Sequence, residues 1–87
     1  MYRVELKKSA EKDLSKLDKH IQKQIISFLE NEVDEAINPR QHGKALKHNW
    51  AGHWRYDFGD YRIICEIKDN ICIVLVVKIG HRKEVYR

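Results

Sequence analysis

The sequence predicts an α+β fold in two layers: an N-terminal strand, a helical hairpin, and then a three-stranded antiparallel meander (β-α-α-β-β-β). Two observations carry this prediction. Apolar residues recur at helical spacing across residues 10–37, and strand-like alternation or continuous apolar runs occupy residues 2–6 and 53–79. The length of 87 residues is enough for one domain, residues 1–87, with a small core and a shallow surface site.

The N-terminal part of the chain predicts a strand followed by a short helix. Residues 2–6 alternate in the manner of a strand. Ser9 is expected to cap the helix, because its hydroxyl can accept a hydrogen bond from a free backbone N–H group of the first turn. Ala10, Leu14 and Leu17 then give this helix one apolar stripe.

A second helix is predicted to begin after Asp18, whose side chain suits the N-cap position. Pro39 forces the residue before it out of helical geometry, so this helix should end by about Asn38. The two helices would lie antiparallel and cover one face of the sheet. The apolar stripe of the second helix comprises Ile21, Ile25, Phe28, Leu29, Val33 and Ile37.

The C-terminal half predicts the meander. Pro39, Gly43 and Gly52 among polar residues make residues 39–52 a loop. The last apolar run suits a central strand that is covered on both faces. The strands are predicted at residues 53–58, 61–67 and 71–79, with turns at residues 59–60 and 69–70.

The two cysteines, Cys65 and Cys72, both fall in strand-like apolar runs, so we expect reduced core residues rather than a disulfide. Reduced cysteines favour a reducing compartment, the cytosol. We also expect neither a signal peptide nor a membrane-spanning helix, because no apolar run has the necessary length.

Positive charge is concentrated in the C-terminal part of the chain. The formal net charge is +4, and residues 38–87 carry ten cations and five anions. This distribution is typical of a face that binds phosphate groups. Many small soluble domains are also basic, so charge by itself leaves nucleic-acid binding and simple solubility as even alternatives.

Strand alternation predicts that several cations share the sheet face away from the helices. Arg55 and Arg62 flank one hairpin turn and should both point away from the core, where Lys78 and Arg82 can join them. Guanidinium groups on a rigid sheet can hold a phosphate through paired hydrogen bonds. The alternative is an ordinary solvated strand face with alternating charges.

The histidines and aromatic residues offer further candidates. His53 and His81 are predicted to lie beside the arginines, and His81 is the better candidate for moving a proton. Trp50, in the predicted loop, is a candidate for stacking on a nucleobase. No residues have the spacing of a metal site, and no cofactor is expected. The remaining histidines read as exposed polar residues: His20, His42 and His48.

Three segments of the sequence resemble the RelE branch of the RelE/ParE toxin superfamily of microbial toxin–antitoxin modules. They are YRVELKKSAEKDLSKL at residues 2–17, WRYDFGDYRIICEI at residues 54–67 and IGHRKEVYR at residues 79–87. The resemblance covers essentially the whole chain. It implies a microbial RNase-like fold and metal-independent cleavage of mRNA in the ribosomal A site, with the 2′-hydroxyl of the substrate attacking the adjacent phosphate.

The resemblance also implies roles for individual residues. Arg62 and Arg82 would hold and polarise the scissile phosphate, and Tyr86 would orient a base. Arg55 occupies a position that is often lysine in the family. Contacts to RNA and the ribosome would come from Lys44, Lys47, Lys78 and Lys83.

One position departs from the family pattern. Asp57 stands where the family has a second lysine that is a proposed general base, and a carboxylate there would repel phosphate. Proton transfer is therefore open among His81, Tyr86 and Asp57. On this interpretation Gly80 ends the last strand, and removal of residues 82–87 should leave a folded but inactive protein.

The resemblance implies partners as well. A RelB-like antitoxin would neutralise the protein, the ribosome and mRNA would be its target, and the complex with the antitoxin would bind operator DNA. No association with a membrane is expected. Two alternatives stay open: a ParE-like inhibitor of DNA gyrase, and a non-catalytic co-repressor that only binds its antitoxin.

Overall fold

The structure is a computed structural model that describes residues 1–86. One five-stranded mixed sheet carries two helices on one of its faces, which confirms the predicted α+β class. No helix in residues 1–86 is long and apolar enough to cross a membrane. The elements are β1 (Arg3–Leu6), α1 (Lys8–Ser15), α2 (Lys19–Phe28), β2 (Lys44–Ala45), β3 (Trp54–Phe58), β4 (Tyr61–Lys68) and β5 (Ile73–His81).

The strand order in the sheet is β1-β5-β4-β3-β2. β3, β4 and β5 form the predicted antiparallel meander, and β1 joins it parallel to β5. β5 therefore lies inside the sheet, between β1 and β4, which agrees with its apolar sequence, although β4 and not β5 is the middle strand of the five. The core between the sheet and the helices contains Ala10, Leu14, Ile25, Leu29, Val33, Tyr56, Ile63, Cys65, Val74, Val76 and Ile79.

Asp18 caps α2 as predicted, because its carboxylate accepts a hydrogen bond from the backbone N–H of His20 at 2.8 Å. The prediction that Ser9 caps α1 is wrong. Lys7 occupies the N-cap position, and the Ser9 hydroxyl donates instead to the carbonyl oxygen of Val77 at 2.8 Å. This side chain therefore joins α1 to the central strand.

The second helix is shorter than predicted. α2 ends at Phe28 and is followed by a single π-helical turn, Leu29–Val33. The segment after this turn leaves the helix and pairs with the residue before β1: the N–H of Glu35 donates to the carbonyl oxygen of Tyr2, and the N–H of Tyr2 donates to that of Ala36. The Asp34 carboxylate accepts a hydrogen bond from the N–H of Val4 at 2.9 Å, so this segment covers part of the open edge of β1.

The predicted loop, residues 39–52, contains a short strand. Lys44 and Ala45 pair with β3 and extend the sheet by β2, between two single turns of 3₁₀ helix. The prediction for Cys72 is also wrong, because it lies exposed in a left-handed turn before β5, whereas Cys65 is fully buried as expected. Burial raises the pKa of the Cys65 thiol.

A β-bulge in β5 determines which of its side chains face away from the helices. Ile64 pairs with Lys78 and Cys65 pairs with Val76, so Val77 has no partner on β4. Val76 and Ile79 both face the helices, and the extra residue between them places Lys78 on the opposite face. Without the bulge, strict alternation from Val76 would direct Lys78 into the core.

Candidate functional site

Two arginines and one aspartate lie together on the sheet face away from the helices, which we call the arginine face. Asp57 on β3 is directly opposite Arg62 on β4, and Arg55 is two residues before Asp57 on the same strand. One carboxylate oxygen of Asp57 lies 2.8 Å from Nε of Arg55 and 3.2 Å from Nε of Arg62. The predicted approach of Arg55 and Arg62 is thus present, with Asp57 between them.

The Gly59–Asp60 turn brings a third arginine to the end of this cluster. An Arg62 side-chain N–H donates to the carbonyl oxygen of Gly59 at 3.2 Å. The backbone N–H of Arg82 donates to the carbonyl oxygen of Asp60 at 2.7 Å, and its guanidinium lies 3.7 Å from the Asp60 carboxylate. Arg62 and Arg82 therefore both hold the same turn, and the Arg82 side chain is the more exposed of the two.

Tyr86 reaches the arginine face from the C-terminal segment. An Arg55 N–H group donates to the Tyr86 hydroxyl oxygen at 3.4 Å, while another lies 3.3 Å from Asp57. The interaction with Tyr86, followed by the charge of Asp57, raises the pKa of Arg55. Arg55 thus stays cationic and ties the terminal tyrosine to the sheet.

The segment that carries Tyr86 is anchored by a buried valine. Val85 is only 1% exposed, and it packs over Gly80, which faces the same side of the sheet as Arg62. Contrary to the sequence interpretation, Gly80 does not release the chain from the strand: it pairs with Arg62 inside β5, which continues to His81. A Cβ atom at position 80 would meet Val85 at 3.4 Å, so Val85 lies directly over this position of β5.

An aromatic group borders the arginines on the same face. The ring of Trp50 lies 6.3 Å from that of Tyr86 and 5.2 Å from that of His53, both in edge-to-face geometry. Lys78 Nζ is 5.6 Å from the centre of the Trp50 ring, which is a cation–π contact. Trp50, Lys78 and Tyr86 therefore form one surface beside Arg55.

The structure reverses the ranking of the two histidines. His81 pairs with Tyr61, and the two rings pack at 5.6 Å on the side of the sheet that carries the helices. Alternation along β5 places the His81 side chain opposite to that of Gly80, and hence away from Arg62. His53 is instead on the arginine face, 3.6 Å from the Glu66 carboxylate. His81 is therefore separated from the cluster in which the sequence placed it.

The predicted RNA-binding lysines are distributed around the cluster. Lys44 pairs with Arg55 across β2 and β3 and so shares its face. Lys47 precedes the 3₁₀ turn that carries Trp50, and Lys83 follows β5. All three are exposed, whereas Lys78 is partly buried.

Sequence reasoning missed the residues that build this face without being charged. Ile64 points away from the helices but is fully buried, as is Val85. An isolated valine between charged residues near a terminus carries no periodic signal, although the apolar Ile64 between Arg62 and Glu66 indicates that something covers that position. Within residues 1–86, no group of three or more His, Cys, Asp or Glu residues is arranged to hold a metal ion.

The comparisons with known proteins agree with this architecture. The family described as "ParE toxin of type II toxin-antitoxin system, parDE" matches residues 4–86. Toxin RelG of Mycobacterium tuberculosis (strain ATCC 25618 / H37Rv) is 29% identical over 86 residues, which span 99% of this chain and 97% of the relative.

Two solved structures extend the likeness. The toxin–antitoxin complex RelBE2 of Mycobacterium tuberculosis contains a chain with 28% identity and a TM-score of 0.84, with coverage of 93% of this chain and 98% of that one. The RelB-RelE antitoxin–toxin complex of Methanococcus jannaschii matches with 26% identity and a TM-score of 0.66, with coverage of 93% of each chain.

Proposed function

Because the chain belongs to the ParE toxin family of type II toxin–antitoxin systems, within the RelE/ParE superfamily, we propose that it is a translation-inhibiting toxin that cleaves mRNA. The proposed reaction is an endoribonucleolytic cut in the ribosomal A site. It needs no metal ion, since the nucleophile is supplied by the substrate. Action on ribosomes implies a cytoplasmic site of action.

The observation that carries this proposal is the arginine face itself. Arg55 and Arg62 present guanidinium groups within one partly exposed cluster, and Arg82 lies at the adjoining turn. Such groups bind a phosphodiester through charge-assisted, paired hydrogen bonds. The rings of Tyr86 and Trp50 stand beside them, where a nucleobase can stack.

The proposed chemistry gives each of these groups a role. The 2′-oxygen of the RNA attacks the adjacent phosphorus, the bond from phosphorus to the 5′-oxygen breaks, and the products are a 2′,3′-cyclic phosphate and a 5′-hydroxyl. Arg62 and Arg82 would stabilise the extra negative charge that develops on the phosphate oxygens. Tyr86 and Arg55 would hold the nucleotide in line for attack. A proton leaves the 2′-hydroxyl and another reaches the departing 5′-oxygen; Tyr86 and Asp57 are the titratable groups at the cluster.

A cognate antitoxin is the expected protein partner. The similar chains from Mycobacterium tuberculosis and Methanococcus jannaschii were solved in complexes with antitoxins. We propose a RelB-like antitoxin for this chain, which would also deliver the complex to operator DNA. An apolar groove of about 550 Å³ between α2 and β3, with Phe28 and Phe58 in its wall, is available to such a partner.

A ParE-like inhibitor of DNA gyrase is the second candidate, because the matching family is described by the ParE name. The two functions predict different first effects when the protein is expressed without its antitoxin. Incorporation of labelled methionine should stop before incorporation of labelled thymidine if mRNA is the target. The reverse order would support gyrase, and no arrest of either, together with operator binding, would support a co-repressor.

A further inference from the structure

The place of Asp57 in the cluster has a consequence for phosphate binding beyond its candidacy for proton transfer. Its carboxylate lies between the two guanidinium groups that would bind a phosphate, at 2.8 Å from Arg55 Nε and 3.2 Å from Arg62 Nε. The Asp57 side chain is 39% exposed, while those of Arg55 and Arg62 are 21% and 18% exposed. The Asp57 carboxylate therefore sits where an incoming anion would have to bind.

The geometry points to an internal competitor: we propose that Asp57 occupies the phosphate site of the free protein and is displaced when a phosphodiester binds. Asp57 accepts one hydrogen bond from Arg55, at 3.3 Å, and its other oxygen makes close ionic contacts with both guanidinium groups; a phosphate oxygen can take the same place. Two like charges cannot share the Arg55–Arg62 pair without repulsion. This inference rests on the proposed function for the identity of the phosphodiester as RNA.

The structure offers the displaced carboxylate a place to go. A groove of about 420 Å³ opens beside Asp57 at the edge formed by β2 and β3, and its other lining residues are Phe28, Glu32, His42, Gly43, Lys44 and Tyr56. Lys44 is exposed and shares the face of Arg55, so a carboxylate that rotates into this groove meets the charge of Lys44 as well as the like charge of Glu32. In the free protein, Asp57 contacts both Arg55 and Arg62, which keeps the two guanidinium groups together before substrate arrives.

The proposal predicts that removal of the Asp57 charge strengthens anion binding at this pair. The probe is inorganic phosphate, titrated by NMR into the full-length protein with the side-chain Nε–H signals of Arg55 and Arg62 as the readout. We expect Asp57→Asn to bind phosphate roughly five- to tenfold more tightly than the unmodified protein. Asp57→Ser is a second variant and should change the affinity in the same direction.

Glu66→Gln is the matched control. Glu66 lies on the same sheet face with 40% side-chain exposure, but its carboxylate contacts His53 and Lys68 rather than the arginines. The Glu66→Gln substitution removes the same charge as Asp57→Asn, so a general effect of net charge would raise phosphate affinity in both variants. Displacement by Asp57 instead predicts that Glu66→Gln changes the affinity by less than about twofold. Equal gains in the two variants, unchanged affinity in Asp57→Asn, or weaker binding there would each overturn the proposal.

This titration contains no ribosome and no mRNA, so its outcome is independent of the proposed cleavage. If the protein does not cleave mRNA but Asp57→Asn binds phosphate more tightly, Asp57 still competes at a phosphate site, and that site serves another function. A negative titration with intact mRNA cleavage would remove the Asp57 proposal alone.

Discussion

Val85 packs against Gly80, so that a Cβ atom at position 80 would lie 3.4 Å from the Cβ of Val85. This contact joins the C-terminal segment to the central strand and places Tyr86 next to Arg55. The segment is therefore part of the packed structure. Removal of residues 82–87 would expose the apolar face around Ile64, and a truncated chain is a poorer test of the site than single substitutions.

Val85→Ala tests the role of this anchor. Loss of two buried methyl groups should lower the free energy of unfolding by about 1–3 kcal/mol, and it should also loosen Tyr86 and reduce mRNA cleavage. Val74→Ala is the control, since Val74 is equally buried but belongs to the core beneath the helices. Urea unfolding and cleavage assays on both variants should show similar destabilisation, with reduced cleavage only for Val85→Ala. Equal loss of cleavage in both would show that Val85 has no positional role.

A second cluster links three distant segments through Asp69. Arg40 donates two hydrogen bonds to the Asp69 carboxylate, each 2.9 Å, and the Tyr2 hydroxyl donates a third at 2.6 Å. The hydrogen bonds from Arg40 and then from Tyr2 lower the pKa of Asp69 to about 2. The cluster therefore stabilises the fold only while Asp69 is ionised.

The pH dependence of Asp69→Asn follows from that shift. The folded-state pKa lies below the unfolded value of about 4, so the contribution of Asp69 is complete above about pH 4 and is lost as the pH falls through about 2. Asp69→Asn should be less stable than the unmodified protein at pH 7, and the difference should close toward pH 2. Urea unfolding across this range measures it, and a difference that stays constant with pH would refute the assignment.

His81→Gln separates the two histidine interpretations. The His81 ring packs on Tyr61, and its Nδ1 accepts a hydrogen bond from the backbone N–H of Lys83 at 3.2 Å. A glutamine keeps an acceptor for that bond but cannot move a proton near neutral pH. Cleavage should stay within about twofold of the unmodified protein, whereas loss of a general base or acid costs about 10²–10⁴-fold. A loss of cleavage of that size in His81→Gln would show that His81 takes part in proton transfer.

The sequence is sufficient to predict that Arg55 and Arg62 meet, because both lie in strands with clear alternation on either side of a short turn. Lys78 also lies on the face where the sequence places it, but for a reason that the sequence does not show. The run around Val76 and Val77 is apolar without a period, so nothing in it marks the bulge that turns Lys78 away from the helices.

The same limit explains the histidines and the C-terminal segment. His81 is adjacent to Arg82 in the chain, but its side chain follows the alternation of β5 to the other face. The position of Tyr86 depends on the packing of Val85 on Gly80 and on contacts of Tyr86 with Arg55 and Trp50, none of which a periodic sequence pattern indicates. Fold class and the main cations were therefore predictable, whereas the residues that position them were not.

Cleavage of mRNA on isolated ribosomes tests the central claim most directly. Ribosomes programmed with mRNA receive one of three proteins, and the cuts are mapped by primer extension. The three are the unmodified protein, the double variant Arg62→Ala/Arg82→Ala and the control double variant Arg3→Ala/Lys7→Ala. The last variant also removes two exposed cations, Arg3 in β1 and Lys7 just before α1, and β5 separates β1 from the strands that carry Arg55 and Arg62. We predict A-site cuts for the protein and this control, and a loss of at least about a hundredfold for Arg62→Ala/Arg82→Ala with an unchanged fold by circular dichroism. Undiminished A-site cleavage by folded Arg62→Ala/Arg82→Ala, or no cleavage by the unmodified protein, would contradict the account.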